Sequence, residues 1–331
     1  MAGNSAIEWT DAVWNPTTGC TRVSPGCKNC YAFQLHDMRH EAFKAGKKLP
    51  QQYAKPFKEL QLFEDRVTTP LKWKKPKRIF VNSMSDLFHK DVPDEFLHRV
   101  FHTMEAAHWH TFQILTKRPE RMKEYMGWRW GEGRIPSRHI WLGTSVERQE
   151  EADERIPHLL RTPAAVRFLS CEPLLGKVNL RPYLPHKFNR EPTCEWCEDC
   201  IPNTPGMEWW KQTRADNHSP FIDWCIVGGE SGRAPRPCDL AWLRSLTVQC
   251  KAASVPMFVK QLGSNATASY YDEFREEWES QRGNDWPAAL DWNHRDGQPR
   301  LTARVALPLA KKGGDFDEFP ADLRIREFPK T

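Results

Sequence analysis

The sequence predicts an α/β protein whose parallel β-sheet is either closed as a barrel or left open. Six apolar runs of strand length recur along the chain, and segments with helical periodicity separate most of them. The runs also share one polarity, because each begins with apolar residues and finishes in polar ones. Alternation of this kind is typical of parallel strands joined by right-handed helical crossovers, and not of a β-sandwich.

The predicted elements follow this pattern in chain order. Strands are predicted at 78–83, 112–117, 139–145, 166–171, 223–229 and 256–261, where short apolar runs end in polar or turn-forming residues. Helices are predicted at 31–46, 93–108, 118–127, 147–160 and 239–253. The last helix starts at the acidic Asp239, and one of its faces carries Leu240, Leu243, Leu246 and Cys250.

We expect one large unit with two attached segments. Residues 1–263 hold all the predicted strands, and 331 residues with 39% hydrophobic content are enough for a substantial core. The stretch at 176–222 is rich in Pro, Trp and charge and exceeds ordinary connection lengths, so we predict an inserted Cys-rich segment. Residues 264–331 contain few apolar runs and are expected to pack on the barrel as an extension.

Charge and hydropathy exclude some classes of protein. No apolar stretch approaches the roughly 18 residues of a membrane span, and the N-terminus lacks the pattern of a signal peptide, so a cytoplasmic location is expected. The net charge of +5 is mild, without the concentrated runs of a nucleic-acid arm. The basic residues Lys72–Lys77 and 15 tryptophans permit nucleic-acid binding. A solvated loop explains the basic stretch equally well.

Three cysteines near the N-terminus carry the most specific chemical signal. Cys20, Cys27 and Cys30 are spaced as C-x6-C-x2-C. Three thiolates hold three irons of a cubane cluster and leave the fourth open to a small-molecule ligand, whereas a closed zinc site needs a fourth protein ligand. We therefore predict a catalytic iron–sulfur site, with zinc as the alternative.

A second cysteine group lies inside the predicted insertion. Cys194, Cys197 and Cys200 are spaced as C-x2-C-x2-C. Such a group indicates a second iron–sulfur cluster, a zinc knuckle completed by His186, His218 or a distant cysteine, or three reduced thiols. The other four cysteines have apolar neighbours and are expected to be core or pocket-wall thiols: Cys171, Cys225, Cys238 and Cys250.

The polar ends of the predicted strands indicate a common site. Because the carboxyl ends of parallel strands meet at one edge of the sheet, we expect their side chains to line one mouth. Ser85 and Ser145 could instead act only as helix caps. Lys117 and Lys260 end apolar runs, where a lysine needs an anion to face. The strand-end residues are Asn82, Ser83, Ser85, Asp86, Thr116, Lys117, Thr144, Ser145, Glu147, Cys171, Glu172, Gly228, Gly229, Glu230, Lys260 and Gln261.

The segment IVGGESG at 226–232 places two glycines directly after a strand. Glycines there let a ligand approach the backbone closely. The segment is neither a G-x-G-x-x-G fingerprint nor a Walker loop, so a nucleotide-phosphate pocket is not indicated. An adenosyl or amino-acid group fits beside it. The alternative is a tight turn with Glu230 in solvent.

Seven motifs occur in a fixed order between Ile7 and Gly263: TGCTRVSPGCKNCYA, VNSMSDLFH, ILTKRPERM, WLGTSVE, FLSCEPLLG, DWCIVGGESG and VPMFVKQLG. With them the chain resembles the phage Gp37/Gp68 family (DUF5131 type), whose members resemble radical S-adenosylmethionine enzymes and, distantly, spore photoproduct lyase. The resemblance implies a partial or full parallel β/α barrel of radical S-adenosylmethionine type, with the cluster loop after the first strand. It also implies a phage or bacterial host setting.

The resemblance implies a cofactor set. Cys20, Cys27 and Cys30 would bind a [4Fe–4S] cluster whose open iron takes S-adenosylmethionine. Reductive cleavage of S-adenosylmethionine would yield a 5′-deoxyadenosyl radical that abstracts hydrogen, in isomerase or lyase chemistry. An external one-electron reductant such as a flavodoxin or ferredoxin is then expected. The chain departs from the usual C-x3-C-x2-C spacing, and Asn29 replaces the usual aromatic residue, with Tyr31 following the last cysteine instead.

Strand positions in the radical enzymes imply roles for the remaining residues. The amino group of the cofactor would meet Ser83, Ser85 and Asp86, and its carboxylate or ribose would meet Lys117, Ser145 and Glu147. Gly228 and Gly229 would pass beside the adenine, with Glu230 and Tyr31 as further cofactor contacts. Catalytic or substrate-facing roles are assigned to Lys117, Glu172, Lys260 and Gln261.

The same resemblance implies a nucleic-acid base, or its amino-acid or amine adduct, as substrate. Two other classes of function stay open on the sequence. The chain could act on a peptide or small metabolite by the same radical chemistry. It could also be a non-enzymatic, zinc-containing nucleic-acid-binding protein in which both cysteine groups are structural.

Overall fold

The structure is a computed structural model that describes residues 3–5, 7–131, 136–185, 221–232, 234–269, 304–306 and 315–329. The strands are β1 (Gly3–Asn4), β2 (Ala12–Trp14), β3 (Thr17–Thr18), β4 (Gln61–Leu62), β5 (Arg78–Val81), β6 (Thr111–Thr116), β7 (Ile140–Ser145), β8 (Val166–Cys171), β9 (Trp224–Gly228), β10 (Cys238–Asp239), β11 (Met257–Gln261), β12 (Ala266–Ser269) and β13 (Arg304–Ala306). The helices are α1 (Tyr31–Lys44), α2 (Glu64–Val67), α3 (Asp94–Ala106), α4 (Pro119–Trp130), α5 (Gln149–Leu160) and α6 (Leu240–Ala252).

One sheet organises the chain. Its strands run in the order β1-β2-β5-β6-β7-β8-β9-β11, and the seven strands from β2 to β11 are all parallel. Each of these strands pairs with the next strand of the sheet along the chain, so the twisted sheet curls in one direction into a half-barrel. The predicted parallel α/β architecture is confirmed, in its open form.

The predicted strands and helices are confirmed, with shifts at their ends. The strand predicted at 78–83 ends at Val81, because Asn82 adopts a left-handed backbone with φ of 63° and the chain turns there. The helix predicted at 118–127 continues to Trp130. The apolar pattern did not show β2, the strand that the resemblance places before the cysteine loop, since three residues are too few to stand out as an apolar run.

The outer face of the sheet packs against the helices. Ile79, Val81 and Leu142 are fully buried on that face, in the same core as the helices α3 to α6. On α6 the four residues predicted to share a face are all buried, and the Asp239 side chain caps the helix by accepting from Ala241 N at 3.0 Å. This core holds the strands in the register that aligns their carboxyl ends.

The inner face of the half-barrel is filled by aromatic rings. Phe80, Trp141 and Phe168 alternate with the helix-facing residues of their strands and meet Trp9 and Trp224 inside. Trp224 lies at the centre, with ring centroids 5.9 Å from Trp141 and 5.8 Å from Phe168. The rings fill the interior below the strand ends, and an open cavity lies above them.

The C-terminal extension contacts both edges of the half-barrel. Its backbone pairs with β11, where Val259 N donates to Ile325 O at 2.8 Å. Arg326 then forms an ion pair with Glu8 at 2.8 Å, close to β2 on the other edge. The segment at 315–329 therefore spans the open side. A smaller sheet joins β12 to β10 and to β13.

The predicted Cys-rich insertion is described only at its two ends, 176–185 and 221–222. The second cysteine group, Cys194, Cys197 and Cys200, lies outside the described residues, as do His186 and His218. Within the described ranges, no helix combines the length and the apolar character needed to cross a membrane.

We expect Gly143→Ala to destabilise the protein by about 1–3 kcal/mol, measured by urea unfolding. A methyl group at Gly143 would lie 2.6 Å from the Phe168 ring, which is fully buried and packs against Trp224 with ring centroids 5.8 Å apart. Gly127→Ala in α4 is the control, because its methyl group would have no neighbour within 4 Å. Equal stability of the two variants would contradict this description of the inner face.

Candidate functional site

A cavity of about 900 Å³ lies at the carboxyl ends of the parallel strands, above the aromatic rings. Its wall is formed by the cysteine loop, by the residues that follow β5 and β6, and by the last residues of β7, β8 and β11. Of the predicted site residues, those that line it are Cys20, Cys27, Cys30, Tyr31, Asn82, Ser83, Ser85, Asp86, Thr116, Lys117, Ser145, Glu172, Gly229, Glu230, Lys260 and Gln261.

All three N-terminal cysteines face this one cavity as free thiols. Cys27 ends a short 3-10 turn and is buried, Cys30 precedes α1, and Cys20 packs with Cys30 against Phe33 and Phe57. Among the described lining residues there is no fourth cysteine and no histidine. Nor does any group of three or more His, Cys, Asp or Glu side chains in the described ranges form a single-ion site. The ligands of a cluster bind separate irons, whereas one zinc ion takes all its ligands together.

The first anchor of the cysteine loop is Asp86, in the loop after β5. Its buried carboxylate accepts from Thr116 Oγ1 at 2.7 Å and pairs with Arg118 at 2.8 Å. Arg118 also donates to Thr21 O at 3.0 Å and contacts Cys20 Sγ at 3.7 Å. Burial and the Asp86 charge raise the pKa of Cys20 to about 11, against the opposing effect of Arg118, so this thiol is protonated at neutral pH.

The second anchor is Glu147, two residues beyond β7. Its fully buried carboxylate pairs with Lys117 and with Arg155, the latter at 2.9 Å, and accepts from Ser24 Oγ of the cysteine loop at 2.8 Å. Burial raises its pKa, but the two cations outweigh burial and hold the pKa below its ordinary value. The carboxylate is therefore ionised, and it binds the loop instead of facing the cavity.

The third anchor is Glu230, two residues beyond β9. Arg236 donates to both of its oxygens, and Asn29 Nδ2 donates to Oε2 at 2.9 Å. Arg236 continues to Pro25 O of the cysteine loop at 2.9 Å. Burial raises the pKa of Glu230, yet these hydrogen bonds and the Arg236 charge lower it overall. The unusual Asn29 between the cysteines thus joins the loop to the end of β9.

A charged pair forms another part of the wall. Lys260 Nζ lies 3.1 Å from Glu172 Oε1, and Ser170 Oγ donates to Glu172 Oε2 at 3.4 Å. Gln261 Nε2 donates to Gly229 O at 2.8 Å. Both charged side chains keep some exposure, 28% for Lys260 and 14% for Glu172. This pair can meet a carboxylate or an ammonium group of a ligand.

The hydroxyl groups near the cysteines are already bonded. Ser85 Oγ bonds Thr17, and Ser83 Oγ bonds the Asn15 side chain. Tyr31 donates its hydroxyl to Ser83 O. These bonds hold the turn after β5 against the start of α1, so Ser83 and Ser85 shape the wall as well as lining it.

Four of the predicted strand-end residues do not line the cavity: Thr144, Glu147, Cys171 and Gly228. Glu147 lies behind the wall, and Gly228 is covered because a Cβ there would meet Glu172 Oε1 at 2.7 Å. The prediction also missed the arginines that hold the loop, Arg118 and Arg236. Arg118 had a signal, since it directly follows Lys117 at a strand end. Arg236 had none, because its loop gives no periodic pattern.

Comparison with known families assigns the chain to one of them. The family model described as a protein of unknown function, DUF5131, matches residues 4–301. The chain belongs to the DUF5131 family. No curated protein and no solved structure matches it. In this DUF5131 protein the matched range contains β2 to β12 and every described cavity-lining residue except Asp315.

We expect Gly26→Ala to displace the cysteine loop. A methyl group at Gly26 would lie 2.3 Å from Glu147 Oε1, and Glu147 cannot yield easily because Lys117 and Arg155 hold it. The measurement is the rate at which the buried Cys27 thiol reacts with a disulfide reagent in the metal-free protein, and we expect a faster rate. Gly127→Ala is the control, and an unchanged rate in Gly26→Ala would contradict the described anchor.

Proposed function

We propose that this protein is a radical S-adenosylmethionine enzyme that binds a [4Fe–4S] cluster through Cys20, Cys27 and Cys30. Its proposed substrate is a nucleic-acid base or the amino-acid adduct of one. One observation carries the proposal: three thiols, without a fourth cysteine or a histidine among the described lining residues, face one cavity of about 900 Å³. A site with three ligands leaves one iron for a small molecule, and the cavity has room for both.

The cysteine loop supports this function because contacts with other parts of the chain hold it in position. Three carboxylates, Asp86, Glu147 and Glu230, hold it through side chains from four other parts of the chain. A loop held in this way keeps its thiols at the cavity instead of in solvent. When bound, the reduced cluster supplies the electron that cleaves S-adenosylmethionine and so starts hydrogen abstraction.

Lys260 and Glu172 are proposed to orient the ligands. Their charges lie 3.1 Å apart on the cavity wall, where a bound carboxylate can pair with Lys260 and a bound ammonium with Glu172. Lys117 has another role, because its ammonium group is engaged by Glu147. We assign Lys117 to positioning the cysteine loop and not to the reaction itself.

The interior of the cavity supports a flat ring as part of the substrate. Trp9, Phe80 and Leu115 line the cavity, and apolar and aromatic faces of this kind favour stacking with nucleobases. The basic stretch Lys72–Lys77 does not line the cavity, since it precedes the first residue of β5 and so lies at the opposite end of the strands. The nucleic-acid proposal therefore depends on the cavity and not on that stretch.

Anaerobic reconstitution with iron and sulfide, followed by electron paramagnetic resonance of the reduced protein, tests the proposal. We expect the signal of a [4Fe–4S] cluster, and we expect S-adenosylmethionine to change that signal because it binds the open iron. Stoichiometric zinc that persists through reconstitution, with no cluster signal, would overturn the proposal in favour of a zinc-containing binding protein.

We expect Cys27→Ala to abolish both cluster assembly and cleavage of S-adenosylmethionine while the protein stays folded. Cys27 lines the cavity and forms no disulfide, so replacing it removes a proposed cluster ligand without removing a cross-link. The readouts are iron content, cleavage products and circular dichroism. Cys250→Ala is the matched control, because Cys250 is buried on α6 outside the cavity, and it should keep its cluster. Cleavage at the native rate in Cys27→Ala would refute the ligand assignment.

A further inference from the structure

Asn82 is a buried polar residue without a partner inside the structure. Only 2% of it is exposed, and neither its Oδ1 nor its Nδ2 atom has a hydrogen bond. It lines the cavity directly after β5. Its backbone has φ of 63°, in the left-handed region that glycine adopts at the least cost.

Both features destabilise the free protein. A buried carboxamide with no partner gives up its hydrogen bonds to water and receives none in return. A left-handed backbone adds a further cost in conformational free energy for any residue other than glycine, although this cost is smaller for asparagine than for most residues. Since glycine would remove both costs, the carboxamide is best explained by a ligand that supplies its missing partners.

The surroundings of Asn82 narrow the class of ligand. Phe80 precedes it by two residues and also lines the cavity. Trp9 packs against Phe80 with ring centroids 4.8 Å apart, lines the same cavity, and has a buried indole N–H without a partner. A carboxamide offers a donor and an acceptor side by side, and the two rings offer apolar contact.

We infer that Asn82, Trp9 and Phe80 form a subsite for a flat heterocyclic ring that carries a donor and an acceptor on one edge, as a nucleobase does. A carboxamide pairs with such an edge through two hydrogen bonds. The inference rests on the proposed function, and it identifies the part of the cavity that recognises a base. The ring belongs either to the adenine of the cofactor or to the base of the substrate.

Binding measurements on the reconstituted protein test this subsite. Isothermal titration calorimetry with adenosine, thymidine, cytidine, guanosine and S-adenosylmethionine gives Kd values for the native protein and for Asn82→Gly. We expect the native protein to bind at least one of these probes. For that probe we expect Asn82→Gly to raise Kd by about tenfold or more, since two hydrogen bonds to the ring are lost.

Stability separates a ligand-binding role from a structural one. We expect Asn82→Gly to unfold at the same urea concentration as the native protein or a higher one. Glycine adopts a positive φ without strain, and the substitution removes the unpaired carboxamide. The matched control is Ser254→Gly. Ser254 is exposed, has φ of 57° and is distant from Asn82 along the chain, so this variant should leave every Kd unchanged. Asn82→Asp keeps the shape and loses the donor, so it should also weaken binding.

The binding and stability results together either support the Asn82 subsite or overturn it. Weakened binding of adenosine and S-adenosylmethionine assigns the subsite to the cofactor ring, and weakened binding of another nucleoside assigns it to the substrate. A destabilised Asn82→Gly with native Kd values would overturn the inference, as would a native protein that binds none of the probes. Nucleoside binding that depends on Asn82 in a protein without a cluster signal would uphold the subsite while the proposed radical chemistry fails.

Discussion

Three buried carboxylates and the cations that pair with them determine where the cysteine loop lies, and the candidate site depends on these ion pairs. Asp86 with Arg118, Glu147 with Lys117 and Arg155, and Glu230 with Arg236 each place a carboxylate from a strand end against the loop. Removing one member of such a pair leaves an uncompensated buried charge, which costs about 3–5 kcal/mol. The loop has few apolar residues of its own, so these pairs and their hydrogen bonds set its geometry.

The half-barrel makes these ion pairs possible because the two ends of each strand have different surroundings. The first residues of a strand are apolar, and they pack outward against helices or inward among aromatic rings. The residues at and beyond its carboxyl end are polar and reach the loop or the cavity. Parallel pairing in chain order brings all these ends to the same edge, so charges distant in sequence become neighbours.

The strands could be predicted from the sequence because a buried parallel strand has a local signature. Runs such as RIFV and VRFLSC are apolar on both faces, and the structure places strands there. β2 lacked that signature, since Ala12–Trp14 is only three residues long and is too short to detect. The ion pairs of the acidic residues could not be predicted either. Asp86, Glu147 and Glu230 were expected to meet a cofactor, and the structure shows each of them bound to arginine or lysine.

The sequence by itself determined the α/β class, the order of the elements, and the presence of three cysteines without an obvious fourth ligand. These follow from local patterns of polarity, because periodicity and spacing are properties of neighbouring residues. Only the tertiary structure decided that the sheet stays open, that the three thiols share one cavity, and that Asn82 is buried there without a partner. Those facts depend on contacts between residues far apart along the chain, such as Asn29 with Glu230, which no local pattern encodes.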